Sequence, residues 1–210
     1  MTIYSLTARF VLALGLASTM HIASATTYTN LKDMNPQRNI GGTFSNHAIG
    51  QIFKAPGGTL QSFEFYAVSG TRGWGAFSIL ALEVGSVAGN NVYSTPLTYS
   101  GGAQTLSFNN ISLALKPDTE YLAFISGTGG TGSLQNLVLH GSDSDGGLGS
   151  VARIRYAPSG WWLPTNAKSL AFTASITSAV PEPETYAMLL TGLGLIGWMN
   201  RRKQQAKKFS

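Results

Sequence analysis

The chain contains no cysteine among its 210 residues. That absence excludes a disulfide framework, a thiol nucleophile and any cysteine-ligated zinc site. Charge is scarce too, at 11% of residues. Histidine occurs only as His21, His47 and His140. With His21 inside the N-terminal segment, a three-histidine metal centre in the body is excluded. No apolar run reaches the roughly 18–20 residues of an ordinary membrane span. Between residues 40 and 178 no helical period of useful length appears. Glycine is plentiful instead, at 25 of 210 residues, against an average of about 7%, as expected of a chain with many tight turns.

The formal charge of +5 and a pI near 9.6 point to a nucleic acid only until the charges are located. Arg9 lies in the first segment, and five of the fourteen basic residues lie in 201–208. Between Thr26 and Ala179, eight Lys and Arg face seven Asp and Glu. A nucleic-acid partner needs a basic stripe on a folded face, and this body has none to offer.

The two ends explain the basicity. Residues 1–25 place Arg9 before an apolar run from Phe10 to Ala17, and end in His21-Ile22-Ala23-Ser24-Ala25. Ala23 and Ala25 occupy the −3 and −1 positions for cleavage after Ala25, the order of a secretory signal peptide. At the other end, Tyr186 to Met199 is fourteen residues without charge, about 21 Å as a helix. Pro181 and Pro183 separate it from the body. The basic run Arg201-Arg202-Lys203 follows, with Lys207 and Lys208. A basic flank stays on the cytoplasmic side, and its long side chains snorkel to shorten the required span. The expected topology is a body outside and a basic end inside, joined by one short transmembrane helix.

Pro181-Glu182-Pro183, the apolar helix with Gly192, Gly194 and Gly197, and Arg201-Arg202-Lys203 together resemble the PEP-CTERM sorting signal. The resemblance covers residues 180–210 and implies recognition by an exosortase, a membrane transpeptidase-like enzyme acting near Pro-Glu-Pro. It also implies a Gram-negative bacterium that makes exopolysaccharide. The extension "QQAKKFS" is longer than the usual abrupt end of that signal. The same tail contains "GLGLIG", residues 192–197, a literal G-x-G-x-x-G. A dinucleotide site needs a preceding strand, a following helix and an acid about 20 residues on. Here the tail supplies none of them, so no nucleotide cofactor is expected.

The body reads as short apolar stretches divided by Gly, Asn, Ser and Asp. Strands are expected at 48–54, 60–68, 76–84, 91–99, 104–108, 111–115, 120–126, 134–140, 151–156 and 169–177. Phe63, Phe65 and Ala67 alternate with Ser62, Glu64 and Tyr66, and Leu170, Phe172, Ala174 and Ile176 repeat the pattern. The expected class is all-β, an antiparallel β-sandwich of jelly-roll type. The domain order is then 1–25 signal peptide, 26–178 sandwich and 179–210 sorting tail. Leu115-x-Pro117-x-Thr119-x-Tyr121 resembles the tyrosine corner of extracellular sandwich domains, a structural feature in which the hydroxyl bonds to upstream backbone. "GQIFKAPGGTLQSFEFY", residues 50–66, resembles the opening of bacterial jelly-roll modules of the carbohydrate-binding kind.

Candidate chemistry is sparse. Asp143, Asp145 and Gly146 resemble the start of a calcium loop, without its third acid or distal Glu; an Asp/Ser/Gly turn accounts for the same residues. His140, Ser142 and Asp143 supply hydrolase residue types but sit on one turn, where triad geometry is rare. Glu64 and Glu83 are ordinary carboxylates of alternating strands unless a second acid converges on one of them. The aromatics point further. Trp74 lies in a glycine-rich stretch read as a loop, and Trp161 and Trp162 follow Tyr156. An exposed indole suits stacking on a sugar ring, with Arg72, Arg153, Arg155, Asn166 and Tyr156 as hydrogen-bonding neighbours, so Trp74, Trp161, Trp162 and Tyr156 are the candidate glycan-binding residues; the alternative is a Trp pair closing the end of the sandwich. The expectation is an exported, non-enzymatic surface or matrix protein associated with exopolysaccharide. A lectin-like module is the alternative and a glycan hydrolase the third reading. No metal or cofactor is expected.

Overall fold

The computed structural model describes residues 24–41, 48–83, 89–127, 131–155, 162–165, 168–178 and 189–197. Its strands are β1 (Ala25–Thr29), β2 (Met34–Gly41), β3 (Ala48–Lys54), β4 (Gly58–Thr71), β5 (Gly73–Leu82), β6 (Gly89–Tyr99) and β7 (Gln104–Leu115). They continue with β8 (Glu120–Gly127), β9 (Gln135–Ser142), β10 (Val151–Arg155), β11 (Trp162–Pro164), β12 (Ser169–Leu170) and β13 (Phe172–Thr177). A 3-10 turn at Leu31–Asp33 joins β1 to β2.

Two antiparallel sheets form the jelly-roll-like sandwich. One runs β1-β13-β4-β9-β12, with β7 also on β4 and β2 also on β9; the other runs β11-β10-β3-β8-β5-β6. Ser24–Ala179 is one compact unit. The period-two pattern decides which faces meet. Phe63, Phe65 and Ala67 of β4, and Phe172, Ala174 and Ile176 of β13, are buried in one core with Phe53, Phe77, Ile79 and Ile125 of the facing sheet. Burying aromatic side chains of this size dominates the energetics of such a core. The structure differs from the expected strands in adding β1 and β2 and in joining 104–108 and 111–115 into one strand. Its register on β4 jumps from Asn109↔Ser62 to Leu113↔Leu60, and Asn110 and Ser112 take φ of 58° and 53°. The Asn pair that reads as a break is a bulge within a continuous strand.

β3 and β8 are buried on both faces. Ala48, Ile52 and Leu122 form a second apolar cluster with Leu82, packed by Leu80 and Phe124. On the opposite side of the molecule, the outer face of β4 is polar. A buried polar knot ties the sheets together beyond β1. The Asn30 amide donates to the Ser144 and Leu170 carbonyls at 3.0 and 2.8 Å and to Ser169 Oγ at 3.0 Å, and its oxygen accepts from Phe172 N–H at 2.9 Å. Gln51 Oε1 accepts from Leu170 N–H at 2.7 Å.

The tyrosine corner is present as expected. Tyr121 is buried, its ring stacks on Phe53 at 5.8 Å, and its hydroxyl accepts from Lys116 N–H at 3.0 Å. Tyr121→Phe keeps the ring and removes the acceptor, so it should cost about 1 kcal/mol. Chemical denaturation checks this; an unchanged midpoint would mean that the hydroxyl contributes nothing.

Candidate functional site

Trp74 stands in β5, not in a loop, because the glycines beside it let two chains approach. Its N–H donates to Gly132 O at 3.0 Å and its carbonyl accepts from Leu134 N–H at 2.7 Å. The ring lies directly over Gly132: a Cβ added there would sit 2.0 Å from an indole carbon, and Gly132 has φ of +80°. Only glycine fits such a position. The side chain is nevertheless 51% exposed, so the indole is held from below and open above.

Trp162 lies elsewhere. It pairs with Arg155 in β10, Arg155 with Ala48 in β3, Ala48 with Ser126 in β8 and Ser126 with Ala76 in β5. Four strand spacings separate Trp162 from β5, about 19 Å at the usual ~4.8 Å per strand. The structure therefore does not bring Trp74 and Trp162 into one site. Arg153 and Arg155 accompany Trp162, whereas Arg72 accompanies Trp74. Tyr156, Trp161, Asn166 and His47 lie outside the described residues.

At the His140 turn, Ser142, Asp143 and Asp145 already have partners, whereas the buried His140 Nδ1 has none among the described residues. The Ser142 hydroxyl, fully buried, lies 3.2 Å from both the Asn30 and Asp33 carbonyls and accepts from Ser144 N–H. Asp143 pairs with Arg38 at 2.9 Å and accepts from the Asn35 amide at 2.7 Å. Asp145 accepts from Gly147 N–H at 2.9 Å, a turn-forming contact. Among the described residues no three His, Asp or Glu gather as a metal site would require.

Glu64 belongs to a hydroxyl row crossing four strands. Thr29 pairs with Thr173, Thr173 with Glu64 and Glu64 with Ser107. The carboxylate accepts from Tyr66 and Ser107 hydroxyls, each at 2.9 Å, and Tyr66 also bonds Thr173 at 2.9 Å. Partial burial pushes the Tyr66 phenol above its ordinary value; the Thr173 bond opposes that rise and Glu64 adds to it. Glu83 is exposed just beyond β5.

One feature is not legible in the sequence. A cleft of about 550 Å³ opens where β1 and β13 meet the β3–β4 and β7–β8 connections, lined by Thr26, Tyr28, Pro56, Pro117, Ile176 and Ser178 among others. A second cleft of about 270 Å³ shares Tyr28 and Pro56 and reaches Lys54 and Asp118. Those two ionise as an exposed pair at 2.8 Å. The hydrogen bond and charge of Lys54 hold the Asp118 carboxyl below its usual range, and Asp118 raises Lys54 in return. The sequence signal was two turns, "APGG" and "KPDT", with nothing to say that they share one end of the sandwich.

In the tail, a helix at 189–197 is described and exposed along its length. No helix among the described residues is long and apolar enough to cross a membrane. Pro181, Glu182, Pro183, Arg201, Arg202 and Lys203 lie outside the described residues, as do residues 1–23.

No curated protein sequence matches this chain. Among solved structures, the chain is similar to one titled as the infectious bursal disease virus Gx strain, at 15% identity and a TM-score of 0.31, covering 79% of this chain and 44% of that one. It is also similar to the VP2 subviral particle of that virus, at 14% identity and a TM-score of 0.20, covering 83% and 46%. The chain thus spans less than half the length of these neighbours, and superpositions this loose establish neither its fold nor its function. The tail is different. Residues 179–203 match the PEP-CTERM protein-sorting motif, and this chain accordingly carries the signal of an exported protein sorted by an exosortase.

Proposed function

We propose that the mature chain is a non-enzymatic component of the cell surface or extracellular matrix of a Gram-negative bacterium, associated there with exopolysaccharide. The observation that carries this reading is the sorting-motif match at 179–203. An N-terminal signal peptide starts export, and the C-terminal helix with Arg201, Arg202 and Lys203 holds the chain in the inner membrane, body facing the periplasm, until the exosortase acts near Pro181-Glu182-Pro183. The polar partners already bound to Glu64, Ser142 and Asp143 support a structural role for these residues over a hydrolytic one.

A second reading, a lectin-like module, is favoured by one observation. The half-exposed Trp74 ring is fixed on Gly132, so stacking a sugar on it costs little side-chain ordering. Purified protein should bind the producing organism's exopolysaccharide, and Trp74→Ala should weaken binding about tenfold, the loss of a stacking contact worth about 1.4 kcal/mol. A Trp161→Ala/Trp162→Ala double variant run beside it tests the other edge of the sheet separately. Unchanged binding by a folded Trp74→Ala variant would remove Trp74 from the site. No binding by any form would leave a passively sorted structural domain.

A further inference from the structure

We propose that signal-peptide removal completes a carboxylate-binding cleft at the end of the sandwich, and that its occupant is an acidic glycan, a short stretch of uronate-bearing chain. The proposal rests on the reading of cleavage after Ala25. In the unprocessed chain, Ser178 N–H donates to Ser24 O at 3.2 Å and the Ser178 hydroxyl donates to the same carbonyl at 3.5 Å. Ala25 pairs with Thr177 and Thr26 with Ile176. Cutting after Ala25 removes Ser24, and with it the acceptor for both Ser178 donors. It also creates an α-ammonium on Thr26.

Thr26 and Ser178 both line the 550 Å³ cleft. Processing therefore leaves an ammonium, an N–H and an O–H at one wall, and no acidic side chain lines that cleft. A group of donors with a formal positive charge selects an anion, and a carboxylate offers two acceptor oxygens to share among them. The remaining walls say what the carboxylate is attached to. Tyr28, Pro56 and Pro117 present flat C–H and ring surfaces, which suit the apolar face of a pyranose. Two of these three are prolines, which have no N–H to give a peptide main chain. The volume lies within the range of about 300–1,000 Å³ typical of ligand pockets. The adjoining cleft shares Tyr28 and Pro56 and carries the Lys54–Asp118 pair, so the groove continues past the carboxylate end, with Lys54 offsetting the Asp118 charge, and fits a chain of rings better than a single one.

The test uses full-length protein purified from exporting cells, with its N-terminus read by mass spectrometry. The comparison protein is made without residues 1–23 and with its amino terminus acetylated, so that Ser24 and Ala25 remain and no terminal ammonium is present. Calorimetric titrations with trigalacturonate, cellotriose and acetyl-trialanine separate an acidic glycan, a neutral glycan and a peptide carboxylate. The processed chain should bind trigalacturonate about tenfold more tightly than cellotriose, and the chain retaining Ser24 and Ala25 should lose that preference. Tyr28→Ala should weaken trigalacturonate binding, with the thermal midpoint confirming that the variant folds. A mature N-terminus other than Thr26 overturns the processing premise and the proposal with it, while leaving the surface-protein reading intact. A Thr26 N-terminus without the preference overturns the cleft assignment alone. Tighter binding of acetyl-trialanine than of trigalacturonate overturns the glycan as occupant.

Discussion

Phe63→Ala is expected to lower the free energy of unfolding by about 3–5 kcal/mol, the cost of deleting a large buried aromatic ring and leaving its cavity. Phe63 is fully buried, with ring centroids of Phe65 at 5.0 Å, Phe172 at 5.6 Å, Phe53 at 5.8 Å and Phe77 at 5.9 Å. Phe172 comes from a neighbouring strand of its own sheet, and Phe53 and Phe77 come from the facing sheet. One side chain thus joins the two layers. Truncation removes its share of apolar burial and four aromatic contacts at once, and the surrounding rings are too large to collapse into the space. Domains of this kind have only about 5–15 kcal/mol of stability in total. With no cysteine in the chain, no disulfide shares the load. Urea denaturation of Phe63→Ala beside Phe63→Leu measures this, the conservative change being expected to cost under about 1.5 kcal/mol. A loss below about 1 kcal/mol for Phe63→Ala would show that burial of this ring is not what holds the sheets together.

The second large effect concerns sorting. The triple variant Pro181→Ala, Glu182→Ala, Pro183→Ala is expected to abolish exosortase processing while leaving the sandwich folded, because the motif at 179–203 follows the last strand, which ends at Thr177. The wild-type protein should reach the surface without Arg201, Arg202 and Lys203, detected by mass spectrometry of the released form. The variant should keep them and fractionate with the inner membrane. The physical basis is the chemistry of proline, whose missing N–H and fixed φ disfavour both helix and sheet in a segment an enzyme must grip. A wild-type protein that keeps its basic end in a strain with active exosortase would show the tail to be an anchor only.

How much of this was legible in advance differs from element to element. The alternation in β4 and β13 is written in the side chains themselves. Phe63, Phe65, Phe172 and Ala174 are buried, whereas Glu64 and Thr173 both bond the Tyr66 hydroxyl on the outer face. β1 and β2 were not legible, because neither carries an apolar stripe. "ATTYT" is exposed at four of its five positions, and "MNPQRNIG" buries only Ile40. Such edge strands are held by backbone pairing and by contacts such as Asn30, which leave no periodic trace. The bulge at Asn110 and Ser112 reads as a break because Asn and Ser are turn residues; only the pairing with β4 shows that the strand continues.

By itself, the sequence determined the all-β class, the inward face of each strong strand, the tyrosine corner and the sorting tail. All of these are local, since period, turn chemistry and short motifs are carried by neighbouring residues. Only the tertiary structure decided that Trp74 stands on Gly132 while Trp162 lies several strands away, and that Ser142 and Glu64 are engaged by distant partners. It alone placed Tyr28, Pro56, Pro117 and Ser178 around one cleft. Those facts depend on strand order and on which loops share an end of the sandwich, and strand order is set by how two whole sheets bury their apolar faces together.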